Sequence, residues 1–210
     1  MKRYILHLSD VFFDEEFSDG EGIDLRDVES VNCYCAPQSA DVLRERLKDI
    51  PAQALHWIDT GDYHYLTLFF LEKLKEPFNL VLIDNHPDDQ QTAFGGDILS
   101  CGSWVAEARK LPFCKETIWI RDEADFTLPE QDAVYLSIDL DVLSPDFART
   151  NWDQGSMTMA QLCGIVRRLM EERRVAGADI CGGISESQGA MTCDLAINRD
   201  AVDTVCGLFR

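Results

Sequence analysis

Basic residues are scarce in this sequence. Its 210 residues include 19 Lys and Arg against 38 Asp and Glu, which gives a formal net charge of −19. A surface this acidic repels phosphate groups, so nucleic acids and anionic membranes are not expected partners. The surplus of carboxylates suits cations instead, either metal ions or basic substrates.

Long apolar segments are also absent from the sequence. No apolar run approaches the roughly 20 residues that cross a bilayer, and the first residues of the chain contain no apolar stretch long enough for a signal peptide. We therefore expect a cytoplasmic protein whose eight cysteines stay reduced. None of these cysteines belongs to a Cys-x-x-Cys pair, which argues against a structural zinc site.

The composition predicts a folded chain with a sizeable core. Hydrophobic residues make up 46% of the sequence and charged residues 27%, a balance that excludes wholesale disorder. The length suits one large domain, and neither an internal repeat nor a low-complexity linker divides the chain. We therefore expect a single domain over residues 1–210.

Short apolar runs alternate with amphipathic segments along the chain. The apolar runs predict strands over residues 3–8, 28–34, 54–58, 78–84, 117–120, 133–139 and 175–181. The amphipathic segments predict helices over residues 39–49, 64–75, 102–110, 159–172 and 199–208. Alternation of this kind is typical of the α/β class, in which helices cover both faces of a parallel sheet.

Polar clusters follow three of the predicted strands. They are Asp-Thr-Gly-Asp-Tyr-His at 59–64, Asp-Asn-His-Pro-Asp-Asp at 84–89 and Asp-Leu-Asp at 139–141. In an open α/β sheet, ligands bind beyond the carboxyl ends of the strands. All three clusters should therefore face the same edge of the sheet.

The spacing of the acidic residues in these clusters predicts a metal centre. Asp84-x-His86-x-Asp88 lets an extended chain point three ligands in one direction, and Asp139-x-Asp141 adds two more. Carboxylates so close together would raise one another's pKa unless cations balance them. Two divalent ions supply that balance, and oxygen donors with one or two imidazoles suit Mn²⁺.

His64 ends the first of these polar clusters. It is either a further ligand of the metal centre or an ordinary histidine at the start of the predicted helix.

The same clusters, in the same order, resemble the metal-binding signatures of the ureohydrolase (arginase/agmatinase) superfamily. The matching segments are Gly-Asp-Tyr-His at 61–64, Asp-Asn-His-Pro-Asp at 84–88 and Ser-Ile-Asp-Leu-Asp-Val-Leu-Ser-Pro at 137–145. A fourth segment, Ser-Cys-Gly-Ser-Trp-Val at 100–105, resembles the agmatinase segment Ser-His-Gly-Ser-Phe-Val. The similarity extends from about residue 55 to about residue 184.

The resemblance implies a three-layer α/β/α sandwich, with a mainly parallel sheet, that holds two Mn²⁺ ions. It assigns one ion to His64, Asp84, Asp88 and Asp139. It assigns the other ion to Asp84, His86, Asp139 and Asp141, so that Asp84 and Asp139 bridge the pair. The implied reaction is metal-assisted hydrolysis of a C–N bond, in which coordination lowers the pKa of the attacking water. Asp88 would orient that water.

Three departures from the superfamily pattern bear on the substrate. Cys101 stands where the pattern has a histidine, and Gly182 stands where it has the glutamate that binds the guanidinium group. The chain is also shorter than typical members, so we expect some of the loops that shape the pocket to be missing. Arginine itself is therefore not the expected substrate.

Other residues are candidates for the lost roles. Cys101 is a candidate catalytic residue, because it precedes a predicted helix whose N-terminus would lower the pKa of the thiol; the alternative is a buried apolar residue. Gln90 and Glu186 are the candidate substrate-binding residues, and Glu186 lies four positions beyond Gly182.

The sequence favours a binuclear hydrolase that acts on an amidine, guanidine or amide in a small molecule. A related deacetylase-like activity belongs to the same class, since a zinc-dependent deacetylase family shares the fold. One alternative is a non-catalytic metal-binding or ligand-sensing protein, and another is an unrelated α/β protein with chance carboxylate clusters. The identity of the substrate and of the cellular metal stays open, and the chain could also form a homo-oligomer.

Overall fold

A seven-stranded sheet forms the centre of the molecule. The computed structural model describes residues 1–11, 20–91, 98–130 and 133–210. In this part of the chain the strands are β1 (Arg3–His7), β2 (Glu21–Asp24), β3 (Tyr34–Cys35), β4 (Leu55–Ile58), β5 (Phe78–Ile83), β6 (Leu99–Ser100), β7 (Cys114–Ile120), β8 (Ala133–Asp139) and β9 (Arg174–Cys181). The main sheet has the order β2-β1-β4-β9-β8-β5-β7, with parallel pairing throughout. Strands β3 and β6 form a separate antiparallel pair.

Helices cover both faces of the main sheet. They are α1 (Pro37–Leu47), α2 (Leu66–Leu71), α3 (Trp104–Ala108), α4 (Met159–Glu172) and α5 (Thr192–Leu208). Helices α1, α2 and α3 contribute to one apolar core, and α4 and α5 contribute to the other. The predicted three-layer α/β/α sandwich is confirmed. None of the helices in the described residues is long and apolar enough to cross a membrane.

Strand β5 shows why an apolar run becomes a central strand here. All of its residues are buried, and successive side chains point to opposite faces of the sheet. Leu80 and Leu82 therefore join the core beneath α1–α3, whereas Val81 and Ile83 join the core beneath α4 and α5. A strand buried on both faces has a continuous run of apolar residues, and this run is the pattern that predicted the strand from the sequence.

The order of the central strands decides where the polar clusters meet. Strands β4, β9, β8 and β5 are consecutive neighbours in the sheet and run in the same direction. Their carboxyl ends deliver residues 59–64, 181–183, 139–141 and 84–88 to one edge. The predicted common edge is therefore observed.

The strand predicted over residues 28–34 is wrong. Only Tyr34 and Cys35 form a short strand in that region. Ser30 and Cys33 have φ angles of 59° and 55°, and a left-handed residue interrupts extended backbone. This bent segment turns toward the edge of the sheet where the polar clusters meet.

The helix predicted over residues 159–172 matches α4, whereas the other four predicted helices have different bounds in the structure. The helix predicted over 64–75 is confined to Leu66–Leu71 and follows a 3₁₀ turn, Gly61–Tyr63. The last helix begins at Thr192, earlier than predicted.

Candidate metal centre

The predicted metal ligands come together beyond the carboxyl ends of β4, β5 and β8. They are His64, Asp84, His86, Asp88, Asp139 and Asp141. All are buried except His86, whose side chain is 35% exposed. The structure thus brings together every residue that the sequence nominated as a ligand.

The first half of the centre surrounds Nδ1 of His64. This atom lies 3.1 Å from Asp88 Oδ2, 3.3 Å from Asp84 Oδ2 and 3.6 Å from Asp139 Oδ2. Three carboxylates thus converge on one imidazole nitrogen in a buried position.

The second half of the centre surrounds Nδ1 of His86. This atom lies 2.8 Å from Asp141 Oδ2 and 3.7 Å from Asp84 Oδ1. Asp84 thus presents Oδ2 to one half and Oδ1 to the other, as a bridging carboxylate would. Asp139 is grouped with His64, whereas the group around His86 consists of Asp84, His86 and Asp141.

Backbone amides hold the carboxylates in place. The amide of His86 donates to Asp84 Oδ1 at 2.6 Å, and the amide of Asp141 donates to Asp139 Oδ1 at 2.9 Å. Asp141 Oδ1 in turn accepts from the amide of Asn85 at 3.1 Å. The first two bonds are of the local Asx type that lets aspartate organise a turn after a strand, and the third joins the ends of β5 and β8.

Hydrogen bonds also fix the tautomer of His64. Ser137 Oγ donates to Asp179 Oδ1 at 2.7 Å, because a carboxylate can only accept. The same Oγ must therefore accept from Nε2 of His64, which lies 2.8 Å away. The proton of a neutral His64 sits on Nε2, and the lone pair of Nδ1 faces the carboxylates.

This arrangement leaves Nδ1 of His64 without a hydrogen bond, although the side chain is only 1% exposed. A buried lone pair that faces three carboxylate groups is unfavourable unless a cation satisfies it. Without a metal that cation is a proton on Nδ1, because, although burial opposes the charge, Asp84 and Asp88 raise the pKa of His64 well above its ordinary value. A divalent ion satisfies the nitrogen and the carboxylates at once. The donor set therefore fits a metal ion, and the Asp179–Ser137–His64 chain is the support that metal-bound histidines usually have.

The pKa values of the cluster reflect the repulsion between its buried carboxylates. Burial and the neighbouring Asp84 raise the pKa of Asp88 to about 6, and burial and the neighbouring carboxylates raise that of Asp141 to about 9. Burial opposes ionisation of Asp84 as well, but His64 and His86 hold its pKa below the usual range. The cluster thus resists carrying its full negative charge, which divalent cations would balance.

A cavity of about 220 Å³ opens over the cluster. Besides the six candidate ligands, its lining consists of Cys33, Tyr34, Gly61, Gln90, Ser100, Cys101, Gly102 and Trp152. Trp152 stands edge-on to His86, with 6.0 Å between the ring centroids. The metal centre thus lies at the base of a small pocket with aromatic side chains at its rim.

Solved structures of known enzymes share this fold. Proclavaminate amidino hydrolase from Streptomyces clavuligerus gives a TM-score of 0.67 at 16% identity, covering 90% of this chain and 73% of that one. Formimidoylglutamase from Bacillus subtilis gives 0.64 at 14% identity, covering 99% and 85%. Arginase from Bacillus caldovelox gives 0.64 at 14% identity, covering 99% and 98%.

The sequence carries a family match of its own. Residues 114–182 match the model of the arginase family. This match covers about a third of the chain, and together with the shared fold it supports a relation to the ureohydrolase superfamily. A Thermotoga maritima protein described as uncharacterized is 34% identical to this chain over 142 residues. That match covers 60% of the chain and 56% of the relative, so it spans little more than half of the relative's length.

Gly182 departs from the ureohydrolase pattern in its backbone as well as in its side chain. Its φ angle is +98°, and a Cβ at this position would lie 2.6 Å from Asp139 Oδ1 and 2.9 Å from the backbone nitrogen of Leu140. No side chain fits there without movement of the metal-site backbone. The position that would hold a guanidinium-binding glutamate in the superfamily is therefore closed in this chain.

Cys101 lines the cavity, but its predicted acidity is wrong. Burial, followed by the charges of its neighbours, raises the pKa of the thiol far above the ordinary value. Helix α3 begins at Trp104, beyond Cys101, and has only five residues, so it offers little positive potential. Cys101 is a neutral thiol in this structure.

The two predicted substrate-binding residues lie in different places. Gln90 lines the cavity and packs against Gly102, whose carbonyl accepts from its backbone amide at 2.9 Å. Glu186 is exposed in a 3₁₀ turn, Glu186–Gln188, and is not among the side chains that line the cavity. A capping box between Ser185 and Gln188 fixes that turn and leaves Glu186 in solvent.

Asp62 organises the rim of the cavity, a role that no sequence pattern indicates. It accepts hydrogen bonds from Asn32 at 2.9 Å, Asn151 at 2.8 Å, Trp152 at 2.9 Å and Gln188 at 3.2 Å. One buried carboxylate therefore ties four separate segments together. Its place in the Gly-Asp-Tyr-His segment was visible, but its partners are distant in the chain.

Proposed function

We propose that the protein is a binuclear metal-dependent hydrolase that cleaves a C–N bond in a small molecule. One observation carries the proposal: the orphaned Nδ1 of buried His64 faces carboxylates that also serve the His86 half of the centre through Asp84. The match of residues 114–182 to the arginase family model supports the same conclusion. A cytoplasmic location and homo-oligomer formation stay predictions from the sequence.

The ligands would divide as the geometry groups them. His64, Asp84, Asp88 and Asp139 would hold one ion, and Asp84, His86 and Asp141 the other, with Asp139 as the second bridge that the superfamily pattern implies. Because most of these donors are oxygens, Mn²⁺ is the favoured metal for the pair. The ions, when bound, would lower the pKa of water and offset the negative charge that develops in hydrolysis.

Asp88 is the residue of this chain that would orient the attacking water. Its Oδ2 accepts from Nε1 of Trp104 at 2.7 Å, and its own backbone has a φ of 47°. The indole bond and the tight backbone turn fix the direction of the carboxylate. A general base needs this kind of fixed geometry before it needs a tuned pKa.

The cavity favours a small substrate that is not held by opposite charge. Among the described residues that line it, the only ionisable side chains besides the candidate ligands are Cys33, Tyr34 and Cys101, none of which is charged at neutral pH in its ordinary state. Neither a lysine or arginine for a substrate carboxylate nor a spare carboxylate for a guanidinium group lines this part of the pocket. Its 220 Å³ is also below the roughly 300–1,000 Å³ of drug-sized sites. We therefore favour a small amide over a guanidine.

Neutral side chains would contact such a substrate. Gln90 and Ser100 offer hydrogen bonds, Cys101 offers a thiol, and Tyr34 and Trp152 offer aromatic faces.

A turnover assay tests the proposal. The metal-stripped protein is reloaded with Mn²⁺ and assayed for ammonia or urea release from small amides, amidines and guanidines, with Asp84→Asn as the control variant. We expect release that depends on Mn²⁺ and is lost in the variant. Two bound ions without turnover of any compound would contradict the hydrolase proposal. That result would favour the metal-binding or ligand-sensing alternative, which the closed position at Gly182 also suits.

A further inference from the structure

Cys181 brings a buried thiol to the metal centre. It is the last residue of β9 and pairs in register with Asp139 on the adjacent parallel strand. Because paired residues of neighbouring strands project to the same face of the sheet, the two side chains lie side by side on one face. The Sγ atom lies 3.0 Å from Asp139 Oδ2, and the side chain is 0% exposed.

A second observation marks this thiol as part of a cation site. Donor atoms of Cys181, His64 and Asp139 all lie within 4.8 Å of one another. Nδ1 of His64 lies 3.6 Å from the same Asp139 Oδ2 that Cys181 approaches, and it is buried without a hydrogen bond. Sulfur, nitrogen and oxygen donors therefore converge on one point from three different segments of the chain.

The backbone after Cys181 is anchored beside Asp139. Gly182 has a φ of +98°, a Cβ built on it would lie 2.6 Å from Asp139 Oδ1, and its amide donates to the carbonyl of Asp59 at 3.2 Å. The residue that follows Cys181 is thus tied to the end of β4, which holds the end of β9 next to the Asp139 carboxylate.

We propose that Cys181 is a further ligand of the ion on the His64 side, and that its sulfur gives the two halves of the centre different metal preferences. The proposal rests on the metal centre put forward above. Thiolate sulfur favours Zn²⁺, Co²⁺ and Fe²⁺ over Mn²⁺, whereas the oxygen-rich His86 side keeps its preference for Mn²⁺. The thiol proton leaves to solvent when the sulfur–metal bond forms.

Cobalt spectroscopy tests this ligand without any measurement of activity. The metal-stripped full chain is titrated with Co²⁺, and the near-ultraviolet absorption is followed for a sulfur-to-cobalt charge-transfer band. We expect the band in the wild type and its loss in Cys181→Ser. The matched control is Cys206→Ser, which removes another buried thiol that contacts Trp57 instead of the centre, and which should keep the band. Cys101→Ser should keep the band as well.

Metal affinity gives the second measurement. Even the outer partners of metal ligands are worth roughly 10–100-fold in affinity, so Cys181→Ser should lower the Zn²⁺ affinity of the His64 side by about that factor or more. The affinity for Mn²⁺ should change less. Equal losses for both metals would mean that Cys181 only positions Asp139, and would overturn the proposal.

X-ray absorption of the zinc-loaded wild type avoids any problem of folding in the variants. A sulfur scatterer at about 2.3 Å is expected, and a shell of nitrogen and oxygen alone at about 2.0–2.1 Å would overturn the proposal. The number of metal ions bound per chain distinguishes a failure of the Cys181 proposal from a failure of the proposed metal-dependent function. Two ions per chain without a sulfur signal reject only Cys181 as a ligand, whereas failure to bind metal rejects both.

Discussion

The Ser137 hydroxyl offers a sharp test of the metal centre, because it contacts a candidate ligand without being one. Ser137→Ala removes the bond from His64 Nε2 at 2.8 Å and the bond to Asp179 Oδ1 at 2.7 Å. All three side chains are buried, so water cannot replace the lost partner. The variant therefore frees the imidazole ring from the support that directs its Nδ1 toward the carboxylates.

Two separate losses follow from this substitution. Each buried group left without a partner costs about 1–3 kcal/mol, so the metal-free variant, which leaves two such groups, should lose about 2–6 kcal/mol of unfolding free energy. Loss of an outer partner also weakens metal binding by roughly 10–100-fold, which corresponds to about 1.4–2.7 kcal/mol. Since bound metal stabilises the fold by RT ln(1 + [L]/Kd), the Mn²⁺-induced gain should shrink by about that amount at a fixed Mn²⁺ concentration.

Denaturant unfolding with and without Mn²⁺ separates the two losses. Ser100→Ala is the matched control, since Ser100 is a buried serine whose Oγ lies 2.8 Å from Ser103 Oγ and contacts none of the candidate ligands. The control should lose stability in both conditions and keep the full Mn²⁺-induced gain. An undiminished gain in Ser137→Ala would refute the reasoning, because it would mean that Nδ1 of His64 does not bind the metal.

Three further results are expected. Asp84→Asn should reduce the Mn²⁺-induced rise in melting temperature more than Asp141→Asn, because both oxygens of Asp84 face a histidine of the centre; equal losses would contradict a bridging Asp84. The wild type should release little urea from arginine or agmatine. Gly182→Glu should release no more urea and should melt at a lower temperature, because its Cβ would lie 2.6 Å from Asp139 Oδ1. Rapid urea release by either protein would contradict the inference that the position of Gly182 is closed to a side chain. Burial lowers the pKa of His56 to about 4 from 6.5, so unfolding takes up a proton as the pH falls through this window. The unfolding free energy should therefore drop by about 3 kcal/mol more between pH 6.5 and 4 in the wild type than in His56→Gln, and parallel pH profiles would refute the assignment.

Much of the fold was predictable because its central strands are buried on both faces. Strands β5 and β8 read as apolar runs that end in aspartate, and the polar clusters after them identified the edge of the sheet. The segment 28–34 was not predictable in the same way. Its course depends on the left-handed residues Ser30 and Cys33, and no pattern of hydrophobicity encodes a φ angle.

The metal ligands were predictable for a related reason, whereas their supports were not. The candidate ligands lie close to strand ends, so local spacing was enough to nominate them. Ser137 and Cys181 act through the register of β8 and β9, which sets Ser137 opposite Asp179 and Asp139 opposite Cys181. That pairing is a property of the assembled sheet, and a single sequence does not reveal it.

The end of β9 connects the altered substrate site to the altered metal site. Cys181 approaches Asp139 Oδ2 to 3.0 Å, and the backbone of Gly182 occupies the space beside Asp139 Oδ1. Two consecutive residues thus enclose one metal-site carboxylate at the place where the ureohydrolase pattern has a substrate-binding glutamate. With that position closed, discrimination among substrates must come from other residues that line the cavity, among them Tyr34 and Trp152. It follows that substitutions at Trp152 should change which substrate is used, whereas substitutions at Cys181 should change which metal is bound.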